Sequence, residues 1–163
     1  MTDCSFDYIG VIHTPYAEKA PYQPVEDDAQ EFSIELKAEF TEGLHLLDKF
    51  NYIYVLFHVH KLERPASLTV TPPWTHDLQV GVFASRSPAR PNPIGVSVVK
   101  IKRIEGNVIY VSGLDVFDGT PLLDIKPYID QLDVKKDANL GWVGDMDDSE
   151  HLALHIKGVV HEY

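Results

Sequence analysis

Between Phe6 and His13 apolar and polar residues alternate loosely, and Ile, Val and Tyr dominate, which predicts a first strand. Phe32–Leu36 predicts a second. Tyr52–His60 is a near-continuous run of apolar and aromatic residues with β propensity, the pattern of a buried strand. Ala66–Thr71 predicts another, ended by Pro72-Pro73. Val80–Ala84, Gly95–Ile104 and Val108–Leu114 have strong strand character. Glu105-Gly106-Asn107 between the last two predicts a hairpin. Pro121–Lys126 predicts a short strand, and Leu152–Val160 a final one that closes the sheet. Helical spacing is best in Thr41–Phe50, where Leu44, Leu47 and Phe50 share a face and Thr41 can cap. Thr14–Asp28 holds Pro15, Pro21 and Pro24 and predicts a long loop or flap. Many short strands with one helix predict a mainly-β barrel.

The chain has 163 residues, enough for one domain with a sizeable core, and shows no internal repeat or linker. Its net charge of −11 opposes non-specific binding to nucleic acid, so an RNA partner would need a focused patch. Lys100, Lys102 and Arg103 form one basic cluster, and Arg86 with Arg90 another. No apolar run approaches the roughly 20 residues that a membrane helix needs. The start, MTDCSFDYIG, lacks the pattern of a signal peptide, and Cys4 is the single cysteine, so the expected compartment is a reducing cytoplasm.

Two stretches concentrate the chemistry. In GVFASRSPARPNPIG, Gly81–Gly95, the prolines Pro88, Pro91 and Pro93 stiffen a loop that carries Arg86, Arg90 and Asn92. Such a loop can aim guanidinium groups at a carboxylate, phosphate or base, or it can pair them with the chain's own carboxylates. In LDVFDGTPLLDIKPY, Leu114–Tyr128, Asp118-Gly119-Thr120-Pro121 is a turn whose backbone amides and carbonyls can frame a small polar ligand. Asp115, Asp118 and Asp124 are candidates for a general base, and Tyr128 can stack or donate. His58 and His60 lie two apart, on one face of a strand, but no carboxylate or cysteine stands at metal-ligand spacing beside them, so no metal site is expected. No GxGxxG follows a strand, which argues against a Rossmann-type methyltransferase.

Those two stretches, with IGVIHTPYAEKAPYQP (Ile9–Pro24) and LFHVHKLERP (Leu56–Pro65), closely resemble the TrmO (TsaA-like) family in the same order, over about residues 6–130. The resemblance implies a single-sheeted β-barrel with one or two short helices, one domain over 1–163 with an extension over 131–163, and a homodimer. It implies S-adenosylmethionine (SAM) as cofactor and methylation of N6-threonylcarbamoyladenosine in tRNA, beside the anticodon. The cofactor contacts it implies are Pro21, Tyr22, Gln23, His60, Lys61, Arg86, Val96, Asp118, Gly119, Thr120 and Pro121. Asp118 and Tyr128 are the candidate catalytic pair, and Arg90, Asn92 and Lys126 the candidate substrate contacts. Tyr22 stands where the family usually has Arg, and Lys61 where it often has Gln. The further C-terminal domain of many bacterial members is not expected here. These departures and the acidity put SAM binding ahead of tRNA binding. A smaller, non-RNA methyl acceptor, or a non-catalytic SAM-binding module, is the alternative.

Overall fold

The computed structural model describes residues 5–21, 24–26, 28–75 and 77–146. Six strands carry the fold: β1 (Gly10–His13), β2 (Phe32–Leu36), β3 (Tyr52–His58), β6 (Ile94–Glu105), β7 (Val108–Val111) and β8 (Thr120–Pro127). A two-stranded ribbon, β4 (Thr69–Val70) with β5 (Val80–Gly81), stands apart from them. The main pairing runs β1-β2-β7-β6-β3-β8, and β8 pairs back to β1, so the ladder closes on itself. All of these pairs are antiparallel.

Period-two alternation explains the core. In β3 the buried side chains are Ile53, Val55 and Phe57, while Tyr52, Tyr54, Leu56 and His58 point outward. Ile12, Ile34, Val99, Ile109, Val111, Leu114 and Leu122 meet them inside, all at or near zero exposure. At roughly 1.5–3 kcal/mol for each fully buried Val, Leu, Ile or Phe side chain, this cluster is the main source of stability. The mainly-β class expected from the sequence is borne out.

Several local expectations need correction. No α-helix forms over 41–50. Instead, 3-10 segments Ala38–Leu44 and Leu47–Lys49 flank Leu46, whose φ of 66° breaks the turn. Thr41 does not cap. Its hydroxyl donates to the Ala38 carbonyl from inside the first segment, while Leu44 and Leu47 still pack on the core. β1 is shorter than expected, starting at Gly10, and β3 ends at His58, so His60 lies in a turn. Beyond β8 there is one α-helical turn, Asp130–Asp133, and a 3-10 segment, Gly141–Asp145. The expected strand Leu152–Val160 lies outside the described residues.

The closed sheet has two rims. At one, β1 ends at His13, β3 at His58 and β7 at Val111, while β2, β6 and β8 begin. At the other lie Tyr52, Lys126 and the hairpin turn at Gly106-Asn107.

Candidate functional site

The first rim draws together segments that are far apart in sequence. The Asp118 Oδ1 atom accepts the Thr14 N–H at 3.2 Å and lies 3.4 Å from His13 Nδ1. The Thr14 hydroxyl donates to the Val116 carbonyl at 2.8 Å, and the Asp118 N–H donates to the Tyr16 carbonyl at 2.8 Å. Lys61 reaches the same place. Its Nζ is 3.5 Å from the Ala17 carbonyl and 5.3 Å from the centre of the Phe117 ring, a cation–π distance. Gly113 lets the chain approach closely, because a Cβ there would collide with the Val25 carbonyl. Thr14, Tyr16, Ala17 and Val25 of the proline-rich segment are thereby held against the rim.

The backbone N–H groups of the Asp118–Pro121 turn are not open to a ligand in the way its residue types suggest. All three of its N–H groups are used within the protein: Asp118 to Tyr16, Gly119 to Ile12 and Thr120 to Phe117. The Thr120 hydroxyl is committed to the Phe117 carbonyl at 2.7 Å. Gly119 takes a φ of 78°, which glycine adopts at little cost, over open space. The polar group that the turn leaves exposed is the Asp118 carboxylate, with 52% of its side-chain surface exposed. Pro121 sits beside it on β8, opposite Val11. Pro21 is half-buried, and Tyr22 and Gln23 lie outside the described residues.

The two loop arginines have different jobs. Arg90 Nη1 donates to the carbonyls of Val82, Ser85 and Ser87 at 3.0, 2.8 and 3.3 Å, and its guanidinium lies over Phe83. Through Nη1 it is an internal brace, a structural role that its residue type does not announce. Arg86, by contrast, is exposed, with no hydrogen bond or ion pair to another of the described residues. Its charge acts on Asp115. Asp115 accepts the Ser97 hydroxyl at 3.5 Å, and burial pushes its carboxyl up to about 6, against the pull of its own backbone N–H, then Ser97 and Arg86. Asn92 is exposed near the start of β6, where its carbonyl accepts the Ile94 N–H. Val96 faces outward on β6, 56% exposed. His60 is half-buried. Desolvation, then Lys61 and His58, lower its pKa, which favours the neutral ring. His58 bonds Tyr8 Oη through Nδ1 at 2.7 Å.

Two expected contacts are not brought to this rim. Tyr128 and Lys126 lie at the other end of β8. The eight residues of β8 span about 23 Å at ~3.3 Å per residue, with Asp118 just before the strand and Tyr128 just after it. Within one chain Asp118 and Tyr128 therefore cannot act on one reacting atom. Tyr128 packs instead on Tyr52 and Tyr54, and Lys126 pairs with Asp124 at 2.8 Å. Thr14, Tyr16, Ser97 and Phe117 complete the rim without having been singled out in the sequence, since no pattern in their residue types distinguishes them.

Comparison with known proteins agrees with this assembly. Residues 11–134 match the family described as tRNA-methyltransferase O N-terminal domain. A probable S-adenosyl-L-methionine-binding protein of Pyrococcus abyssi is 41% identical over 137 residues, covering 83% of this chain and 73% of that protein. The tRNA (adenine(37)-N6)-methyltransferase of Escherichia coli is 35% identical over 152 residues, which is 87% of this chain and 65% of the enzyme. The human protein of the same description is 44% identical, but this chain spans 20% of it. A crystal structure of TrmO superposes with a TM-score of 0.72 at 36% identity, covering 86% of this chain and 64% of that one.

Proposed function

This chain belongs to the tRNA-methyltransferase O N-terminal domain family, and on that premise we propose that it binds SAM at the Asp118 rim and methylates an adenosine N6 atom in tRNA. The observation that carries this reading is the convergence of all four sequence blocks on one rim: Thr14 and Tyr16 on Asp118, Lys61 on Phe117, and the Val59 N–H on the Pro93 carbonyl.

The donor set suits the cofactor. Arg86 offers an uncommitted planar fork for the carboxylate of its methionine moiety. SAM supplies, when bound, an electrophilic methyl on a cationic sulfur. The residues here act by binding and orienting, since methyl transfer gains chiefly from in-line positioning and preset electrostatics. Asp118 is the residue placed to take a proton. Its Oδ1 is held by Thr14 and His13, and its Oδ2 has no partner among the described residues.

The threonylcarbamoyl form of adenosine beside the anticodon is the proposed acceptor. A smaller, non-RNA acceptor is the second reading, favoured by the use of Arg90 and Lys126 within the fold and by the net charge of −11. A non-catalytic SAM-binding role is the third. The proposed unit is one barrel domain with a C-terminal extension, acting in the cytoplasm as a homodimer. The outward stripe of Ile94, Val96 and Val98 on β6, 42%, 56% and 44% exposed, supports the second copy. Tyr128 could then meet an Asp118 only across such an interface. No helix among the described residues is long and apolar enough to cross a membrane.

Nucleoside mass spectrometry of tRNA from a strain lacking this chain tests the acceptor. Loss of the methylated threonylcarbamoyladenosine supports the tRNA reading, and an unchanged profile sinks it. Calorimetry with SAM tests the cofactor independently, and turnover of SAM with cell extract separates an enzyme from a binding module.

A further inference from the structure

Beyond β8 the chain returns to the arginine loop. At the far rim the Tyr128 N–H donates to the Tyr52 carbonyl at 3.0 Å, and the helical turn Asp130–Asp133 follows. The 3-10 segment Gly141–Asp145 then meets the proline loop. There the Trp142 Nε1–H donates to the Ala84 carbonyl at 2.8 Å, across 58 positions of sequence. Ala84 stands two residues before Arg86.

That contact complements the bonds inside the loop. Arg90 Nη1 holds the carbonyls of Val82, Ser85 and Ser87. The Ser85 hydroxyl donates to the Val82 carbonyl at 3.1 Å, and the Ser87 N–H donates to Ser85 Oγ at 3.3 Å. None of these bonds uses the carbonyl of Ala84, where the backbone leaves the short 3-10 segment Val82–Ala84 and heads for Arg86. Trp142 fixes that carbonyl from outside the loop. The loop rejoins the first rim at Pro93, whose carbonyl accepts the Val59 N–H at 2.8 Å. The backbone around Arg86 is thus set by an internal brace and by the C-terminal extension together.

Trp142 is half-buried and Ala84 is exposed, so water can serve the carbonyl if the indole N–H is lost. The bond therefore contributes little to overall stability. It acts on the share of molecules whose loop holds Arg86 in this direction, and apparent affinity scales with the share that is competent to bind.

We propose that Trp142 is a positioning residue for Arg86: the extension latches the arginine loop through the Ala84 carbonyl, so that docking of the extension and binding of SAM favour each other. The proposal rests on the reading of Arg86 as a SAM contact. Such coupling is reciprocal, each event favouring the other by the same factor. A bond that served only the fold would not respond to the ligand.

The test compares the full chain with Trp142→Phe, which keeps an aromatic ring and loses the N–H. Calorimetry should show SAM binding weakened about fivefold, the scale of one hydrogen bond, while the urea midpoint stays nearly unmoved. Equal affinity in the two proteins overturns the proposal, as does a loss of stability as large as the loss of affinity. Trypsin reads the reciprocal half at Lys135 and Lys136, which are exposed in the extension. Saturating SAM should slow cleavage there by a similar factor in the wild type, and should not do so in Trp142→Phe held at saturation. Equal protection in both proteins, or none in the wild type, overturns the latch. Amide hydrogen exchange needs no ligand. The Ser85 and Ser87 N–H groups, both bonded within the loop, should exchange faster in Trp142→Phe, and unchanged rates overturn the role of Trp142 in holding it. No SAM binding by the wild type overturns the SAM reading and the ligand half of the proposal, and the exchange rates then decide the latch by themselves.

Discussion

Asp118 and Thr14 stand 104 residues apart in sequence, yet the Asp118 Oδ1 atom accepts the Thr14 N–H at 3.2 Å. One side chain thus ties the turn before β8 to the end of β1 and presents its second oxygen to solvent. Asp118→Ala removes this bond and the approach of His13. The expected loss is about 1 kcal/mol, discounted because the carboxylate is half exposed. Urea unfolding reads it. Asp118→Asn keeps an acceptor for Thr14 but cannot take a proton, so it should fold nearly as well while losing methyl transfer. Full turnover by that variant would remove Asp118 from its proposed proton-accepting role.

The two arginines of the proline loop should separate cleanly. Arg90→Ala frees the carbonyls of Val82, Ser85 and Ser87 and should destabilise the fold by about 1–3 kcal/mol. Lysine at that position has no planar fork and should restore little. Arg86→Ala should leave stability within about 0.5 kcal/mol and weaken SAM binding by about 1–3 kcal/mol. Equal stability losses in the two variants would contradict this division.

Asp115→Asn should make the protein more stable at neutral pH. The Asp115 pKa is raised in the folded state, from an ordinary 3.8 to about 6. The folded chain therefore holds that proton more tightly than the unfolded one. The resulting stability is fully present below about pH 4 and is lost as pH rises through 6. The amide avoids the loss, so the variant should gain on the order of 2 kcal/mol at pH 7 and nothing near pH 4. Thermal melts at the two pH values check this. A gain of the same size at both would mean that packing, not charge, is responsible.

Gly113→Ala should act at a distance. Its Cβ would collide with the Val25 backbone, which cannot swing aside as a flexible side chain can. The cost should be about 1–3 kcal/mol if the core yields, or a displaced 24–26 segment if it does not. Limited proteolysis distinguishes the two, since a displaced segment is cut faster. A variant as stable and as resistant to cleavage as the wild type would show that Val25 does not lean on Gly113.

Strand positions were largely legible because burial on one face imposes a period of two. Phe32–Leu36 was read at its true limits, and the β6–β7 hairpin was marked by Glu105-Gly106-Asn107. The helix over 41–50 was not legible. The spacing of Leu44 and Leu47 is the same for a 3-10 turn as for an α-turn, and nothing in leucine announces the left-handed backbone of Leu46. At the site, Asp118 and Arg86 could be singled out by residue type and company. Whether an arginine is free or spent depends on carbonyl positions, so Arg90 looked the equal of Arg86. Tyr128 looked close to Asp118 at ten residues, but an extended strand turns a short count into a long span.

The unequal commitment of those two arginines bears on what related chains should look like. A brace with three carbonyl partners answers to the fold, so position 90 should hold arginine in any chain that keeps this loop, whatever the chain does. On the proposed reading, position 86 answers to the ligand instead. It should hold arginine where the ligand is kept and drift where the ligand is lost. Chains that differ at 86 but agree at 90 would then be the ones that have kept the architecture and changed occupation.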